Sequence, residues 1–231
     1  MPASVIIRVS PKLSVRDPLE TELGKKIVAE GLKLMDKIGF DAFTFKKLAT
    51  QIDSTEASIY RYFKCKIQFL NYAVSWYWHW VDYTIDVRTT NLTDKKKRLE
   101  VAIIVLVESD REDPIIDHID EGVLYRVITK EAARIFLTRN SEGIPAKDVF
   151  SGYDLLFDKI YKMVTALNPK YKHPRMLTRA LISLAHKHAF DSEFLDGTSA
   201  RVLHKGDERK RETKEFLYNM ALSQLESHSK K

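Results

Sequence analysis

The sequence predicts an all-α fold, in which an N-terminal three-helix domain is followed by a C-terminal helical bundle. Only 8 glycines and 7 prolines interrupt the 231 residues. Most of them lie between segments in which apolar residues recur every three or four positions. Alternation of the kind typical of strands is confined to the short stretch Val5–Val9, which we interpret as part of an N-terminal arm. Helical periodicity therefore dominates the chain.

The apolar periodicity predicts about nine helices. Gly39 ends the first of them, and Thr44 and Thr55 are placed to cap the second and third, because a threonine hydroxyl accepts a hydrogen bond from a first-turn N–H. The nine helices cover approximately residues 21–38, 44–52, 55–63, 66–87, 94–107, 116–137, 149–167, 175–195 and 207–227. We therefore expect an arm at residues 1–20, a three-helix domain at 21–66 and a helical domain at 67–231.

The composition favours a folded protein with an anionic partner. Hydrophobic residues make up 44% of the chain, the formal net charge is +6 and the sequence pI is about 9.2. A basic balance favours nucleic acid or a membrane surface as partner.

The single cysteine, Cys65, excludes an internal disulfide and a multi-cysteine zinc site. No segment approaches the roughly 20 apolar residues of a membrane span. The N-terminus also lacks an apolar signal stretch, so we expect a cytoplasmic protein with no membrane partner.

The stretch from Gly39 to Leu70 carries the most specific signal. It holds two short helices joined by the polar turn Asp53-Ser54. Each helix is too short to be stable alone in water and must pack against the first helix. The N-terminal turn of the second short helix can reach base edges when such a helix lies in the major groove. Burial of the apolar positions leaves basic side chains facing outward, namely Lys46, Lys47, Arg61, Lys64 and Lys66. This is the anatomy of a helix-turn-helix.

These residues resemble the N-terminal domain of the TetR family of bacterial regulators. The resemblance covers roughly the first 70 to 75 residues, and its most specific part is the run Ile59 to Phe63 followed by Lys66. The other matching positions are Gly39, Phe40, Phe43, Thr44, Phe45, Leu48, Ala49, Thr55, Ser58 and Leu70. The family usually has Gly-Val where this chain has Asp53-Ser54, and histidine where it has Tyr62. Aspartate tolerates a left-handed backbone better than most residues, so we expect the turn to survive.

The resemblance implies a DNA-binding regulator and a role for each matching position. Ser58, Tyr60 and Lys66 would contact phosphates, as would Thr44, and Tyr60 would also lie near bases. Glu56 and Ala57 would face base edges. The full set of expected DNA-binding residues is Thr44, Lys46, Thr55, Glu56, Ala57, Ser58, Tyr60, Arg61, Tyr62 and Lys66.

Aromatic residues are concentrated on the fourth predicted helix. Tryptophan and tyrosine suit the walls of a binding pocket, since they are apolar with one polar atom, and by resemblance this helix links the DNA-binding domain to a ligand pocket. We therefore expect a small apolar effector to bind there. The expected ligand-binding residues are Trp76, Tyr77, Trp80, Tyr83, Tyr125, Phe136, Tyr153 and Phe157. The alternative is that the stripe is simply core.

The last two predicted helices carry apolar stripes that include alanines, which let helices approach closely. Two copies could form a four-helix bundle across a two-fold axis, which by resemblance is the family's dimer interface. We therefore expect a homodimer, with Leu177, Leu181, Leu184, Leu217, Met220 and Ala221 at the interface. The alternative is burial of these stripes within one subunit.

The sequence offers no support for catalysis or for a bound metal. It lacks a Gly-rich phosphate loop, a Gly-x-Ser-x-Gly elbow and a His-x-x-x-His spacing, so we expect no enzymatic activity, no cofactor and no metal. Two function classes remain. The first is a repressor that a small apolar ligand releases from a double-stranded DNA operator. The second is a helical ligand-binding or protein-interaction module that no longer binds DNA. The outward basic residues favour the first.

Overall fold

A computed structural model of the chain describes residues 6–111, 118–138, 145–194 and 206–227. Within these ranges the side chains of residues 132–133, 135–138, 188–194 and 227 are not described. The described chain is all-α and contains no strand, so the predicted fold class is confirmed.

Ten α-helices and two short 3-10 turns make up the described chain. The turns are Pro11–Leu13 and Pro18–Glu20. The helices are α1 (Glu22–Ala42), α2 (Phe45–Gln51), α3 (Glu56–Tyr60), α4 (Lys66–Thr89), α5 (Lys95–Val107), α6 (Glu121–Thr138), α7 (Ala146–Val149), α8 (Ser151–Leu167), α9 (Pro174–Phe194) and α10 (Gly206–Ser227). The count exceeds the predicted nine by α7. One predicted helix began near Val149, whereas the non-helical backbone of Phe150 (φ −99°, ψ 11°) separates α7 from α8.

The described chain divides into two compact units. The first unit comprises Met1–Trp80 and Asp110–Tyr153, and the second comprises Val81–Ser109 and Asp154–Lys231. The division falls inside α4, after Trp80, whereas the sequence suggested a boundary between residues 66 and 67. Helix α6, expected in the C-terminal domain, therefore belongs with the helix-turn-helix.

The first unit is built around α1. The N-terminal segment is not a free arm, because Leu13 is fully buried and the Val15 N–H donates to the carbonyl of Tyr62 at 2.8 Å. A Cβ at Gly24 would lie 2.2 Å from the carbonyl oxygen of Pro18. Only glycine therefore permits this close approach of the segment to α1.

Helix α6 packs against α1 in the same unit and is joined to it by ion pairs. The Asp36 carboxylate accepts from Arg126 and from Lys130, both at 2.8 Å. Near the end of α1, Asp41 pairs with Arg134 at 2.9 Å. These contacts attach α6 to the first helix of the helix-turn-helix domain.

The second unit packs α5, α9 and α10 against one another. Leu181 of α9, Leu217 of α10 and Leu99 of α5 are all fully buried. At the edge of this core, Lys214 pairs with Glu108 at 2.7 Å, and the Asn168 amide donates to the carbonyl of Leu225 at 2.8 Å.

The packing of α5 corrects most of the predicted dimer interface. Leu177, Leu181, Leu217 and Ala221 are buried within one protomer, so their side chains have no surface to offer to a second copy. Leu184 and Met220 keep partial exposure. For Leu177, Leu181, Leu217 and Ala221, the alternative prediction of burial within one subunit therefore holds. None of the described helices is long and apolar enough to cross a membrane.

Candidate nucleic-acid interface

Helix α2 and the turn after it are fixed by local hydrogen bonds. Thr44 caps α2 through a hydroxyl that accepts from the N–H of Lys47 at 3.2 Å. At the other end the N–H of Ser54 donates to the carbonyl of Ala49 at 2.9 Å, and that of Asp53 donates to Thr50 at 3.4 Å. This pair of bonds is a Schellman motif, which requires a left-handed residue just after the helix. Asp53 supplies it with φ 53°, so the turn survives without the usual glycine, as predicted.

Helix α3 begins with a cap of the predicted kind. The Thr55 hydroxyl accepts from the N–H of Ser58 at 3.2 Å and lies 3.0 Å from the Ser58 hydroxyl. The buried anchor of the helix is Ile59, which is fully inaccessible. The helix is therefore held by one apolar side chain and one cap, and its remaining positions are available to a ligand.

The outward face of α3 consists of the residues predicted to contact DNA. Ala57 and Arg61 are exposed, and Glu56 and Ser58 are partly exposed. Tyr60 is 49% exposed, and its ring stands edge-on to that of Phe45, with centroids 5.2 Å apart. This contact covers one side of the phenol ring and leaves about half of the side chain exposed.

Basic side chains flank this face. Lys46 of α2, Arg61 and Lys64 are exposed, and in the part of the chain that the structure describes their side chains form no ion pair. Lys47 is committed in part, because its ammonium donates to the carbonyl of Ala42 at 2.8 Å. Such exposed cations are the groups that proteins use to bind the phosphate backbone of DNA.

Lys66 is directed into the protein rather than towards a phosphate. Its ammonium donates to the carbonyls of Phe40, Asp41 and Phe43, at 3.0, 3.2 and 3.4 Å, and lies 4.5 Å from the centre of the Phe40 ring. An ammonium has three donors, so all three are used at the end of α1. The phosphate role implied for Lys66 is therefore corrected to a structural one.

Tyr62 is also removed from the predicted interface. Its side chain is only 3% exposed, and its hydroxyl lies 2.7 Å from that of Thr21. Thr21 is the cap of α1, since it also accepts from the N–H of Gly24 at 3.0 Å. Tyr62 thus links the end of the helix-turn-helix to the start of α1, and burial prevents it from contacting DNA.

One residue of this domain was missed by the sequence reasoning. The Lys26 ammonium donates to the carbonyl of Ile52 at 2.9 Å. A lysine of α1 therefore stabilises the turn between α2 and α3. Its spacing within α1 gave no signal, because the contact joins residues 26 positions apart.

The predicted aromatic site is packed as core within the first unit. Trp76 and Trp80 stack with centroids 6.4 Å apart, and Tyr77 lies 6.2 Å from Tyr125. The ring of Tyr153 contacts Trp78 edge-on at 5.0 Å. Tyr83 and Phe157 belong to the second unit, and the side chain of Phe136 lies outside the described residues. The eight predicted residues therefore do not form one described site.

A cleft of about 630 Å³ lies instead within the second unit. Its walls come from the C-terminal part of α4, the start of α5 and one face of α8. The lining residues are Asp82, Asp86, Thr93, Lys95, Arg98, Leu155, Asp158, Lys159, Lys162, Met163 and Ala166. None of the eight predicted aromatic residues is among these lining residues.

Two capped helices, a tight turn and an outward polar face define the class of the protein. It is a DNA-binding transcriptional regulator of the helix-turn-helix type. Residues 27–73 match the family model described as bacterial regulatory proteins, tetR family. The helix-turn-helix region of the chain is therefore that of the TetR family, as the resemblance of its N-terminal residues implied.

Several solved structures share the fold along most of the chain. The fatty acid degradation regulator FadR from Bacillus halodurans superposes with a TM-score of 0.60 at 15% identity, over 91% of this chain and 96% of its own. The ketosteroid transcriptional regulator KstR2 of Mycobacterium tuberculosis has a TM-score of 0.60 at 10% identity, over 90% and 97%. AibR in complex with isovaleryl coenzyme A and operator DNA has a TM-score of 0.59 at 12% identity, over 85% and 97%. No curated protein sequence matches the chain.

Proposed function

We propose that this protein binds a palindromic DNA operator as a homodimer and represses transcription until a small molecule releases it. The observation that carries the proposal is the outward face of α3, where the capped N-terminal turn presents Glu56 and Ala57 and the C-terminal end presents Tyr60 and Arg61. In this proposal α3 lies in the major groove, Glu56 and Ala57 face base edges, and Lys46 and Arg61 neutralise phosphates.

The dimer of this proposal uses the outer faces of α9 and α10. The inner faces are buried against α5, but Met176 of α9 is 66% exposed and Phe216 of α10 is 54% exposed. The partly exposed Leu184 and Met220 lie on the same two helices. Because α9 and α10 already pack against each other, a second copy that covers both helices would complete a four-helix bundle.

The ligand response of this proposal rests on the fold. One protein of the same fold is described in complex with both isovaleryl coenzyme A and operator DNA, and another is described as a ketosteroid regulator. We infer that this protein likewise responds to a small organic molecule, bound in its second unit. The other function class, a module that no longer binds DNA, is disfavoured by the exposed Lys46, Arg61 and Lys64.

The experiment is a DNA-binding titration with the full chain. A labelled duplex from the region upstream of the gene is compared with a shuffled duplex, at several salt concentrations. We expect tighter binding to the upstream duplex and a steep fall in affinity as salt rises. Equal, weak binding to both duplexes at low salt, with no effect of Arg61→Ala, would favour the module that does not bind DNA.

A further inference from the structure

The cleft of the second unit has an unbalanced distribution of charge. The side chains of Lys95, Arg98 and Lys162 line it, and within the described residues none of the three forms an ion pair. All three are exposed at the cleft. From this surplus of cations we infer that the cleft binds an amphiphilic organic anion, which carries a carboxylate or phosphate group on a short apolar chain.

The acidic residues of the cleft do not cancel these cations. Asp82 and Asp86, one turn apart on α4, both pair with the Lys159 ammonium, at 2.7 and 2.6 Å. The same ammonium donates to the carbonyl of Asp82 at 2.8 Å, so Lys159 is held against α4. The cleft lining thus holds four cations and three carboxylates, a net charge of +1, and the walls formed by α5 and α8 carry Lys95, Arg98 and Lys162 with Asp158 as their one carboxylate.

The same face of α8 supplies an apolar floor. Leu155, Met163 and Ala166 line the cleft at helical spacing beside Lys159 and Lys162, and Leu155 is 54% exposed. A volume of about 630 Å³ lies in the range of small-molecule sites, which run from roughly 300 to 1,000 Å³. Charge at the rim and apolar contact below it are the features that orient an anionic head and a short tail.

This inference rests on the proposed function, because it assigns a chemical class to the proposed effector. Its test is calorimetric titration of the full chain with four eight-carbon probes: octanoate, octyl phosphate, octanol and octyltrimethylammonium. We expect saturable binding of the two anions below about 1 mM, weakening as salt rises. Octanol and the cation should bind at least about tenfold more weakly. Equal binding of octanol, tighter binding of the cation or no saturable binding of either anion would overturn the inference.

Variants then locate the binding. Arg98→Glu combined with Lys162→Glu should weaken octyl phosphate about tenfold, since each exposed charge contributes modestly. Lys172→Glu is the matched control, because this exposed lysine of the second unit lies outside the cleft. Lys95→Glu provides a second variant should the double one melt at a lower temperature. Equal loss in Lys172→Glu, or no loss in the cleft variants, would contradict the assignment.

The readouts separate this inference from the proposed function. Calorimetry reports on the cleft whether or not DNA is bound. If octyl phosphate binds the cleft but leaves the operator complex intact, the cleft assignment stands and the effector role fails. If the chain never binds an operator, the proposed function fails while the titrations still decide the cleft.

Discussion

Lysine side chains in the first unit serve two different purposes. Lys66 and Lys26 donate to main-chain carbonyls and hold the ends of helices. Lys46 is exposed and pairs with no acid among the described residues. Hydrogen bonds from a charged donor contribute more to stability than neutral ones, whereas an exposed lysine contributes chiefly to binding of a polyanion. Substitution should therefore separate stability from DNA binding.

Replacement of Lys66 by methionine keeps the aliphatic stem and removes the ammonium. We expect Lys66→Met to lower the free energy of unfolding by about 1.5 kcal/mol, because three carbonyls at the end of α1 lose a charged donor. Lys46→Ala should leave stability unchanged and reduce the salt slope of DNA binding by about one. Urea denaturation and salt-dependent binding of both variants check this. A stable Lys66→Met with a reduced salt slope would restore the phosphate role implied by the family resemblance.

Local residue roles in this domain could be predicted, and distant ones could not. The caps Thr44 and Thr55 and the tolerant turn residue Asp53 act within five positions of their partners, so the sequence pattern predicts them. Lys66 and Tyr62 act on residues 23 to 41 positions away. No spacing rule along the chain signals those contacts, and the family resemblance instead implied a place at the DNA surface for both residues.

Helix α6 is joined to α1 chiefly through Asp36. Burial alone would raise the pKa of this carboxyl, but hydrogen bonds from Lys130 and Arg126 outweigh burial and hold its pKa below the usual value of 3.8. A carboxyl with a lowered pKa in the folded state stabilises it above the unfolded-state pKa. That stabilisation is lost as the pH falls through the folded-state pKa.

The ion pairs of Asp36 should therefore contribute to stability at neutral pH and not in acid. Asp36→Asn is expected to lower the free energy of unfolding by about 1 kcal/mol at pH 7, since the pairs are partly exposed. The difference from the wild type should shrink below about pH 4. Urea denaturation at pH 7 and pH 3 checks this. The control is Glu100→Gln, because the ion pair of Glu100 with Lys97 lies within α5 and does not join two helices. A difference that persists at pH 3 would contradict the electrostatic explanation.

Helices α9 and α10 each present two apolar faces, and the sequence could not say which face is internal. Stripes through Leu181 and Leu217 suit a neighbouring helix of the same chain or of a second copy equally well. The structure assigns them to the protomer core, because α5 covers them. The exposed Met176 and Phe216 then become the apolar residues available to a partner.

The proposed dimer should depend on Phe216. Phe216→Glu would place a charge in an apolar contact, and the loss of a buried phenylalanine corresponds to roughly 2 kcal/mol or more. We expect the dimer dissociation constant to rise at least about tenfold in sedimentation. Val87→Glu, an equally exposed residue of α4, is the control. A protein that is monomeric at micromolar concentration before substitution, yet binds its operator fully, would refute the proposed dimer.

At the scale of the whole molecule, the fold class and the DNA-binding class were both predictable. Helical periodicity and the Gly39–Leu70 stretch indicated them, and the structure and family match confirm them. The cleft was not predictable, since its walls join α4, α5 and α8. The pairing of Asp82 and Asp86 with Lys159 spans about 75 positions. The clustering of aromatic residues predicted a ligand site on α4. Rings that contact one another, however, bury their surface instead of leaving a cavity.

In the proposed function, the outward face of α3 recognises one half-site of an operator in each copy of a dimer. Selection of bound sequences from a random duplex pool, with wild type and Glu56→Ala compared, tests it most directly. We predict an inverted repeat whose half-site centres lie one helical turn apart, about 10–10.5 base pairs, or a multiple of it. Glu56→Ala should change the preferred base at one position per half-site, because a carboxylate accepts from cytosine in the major groove. No enriched sequence, or an identical motif from both proteins, would contradict the claim.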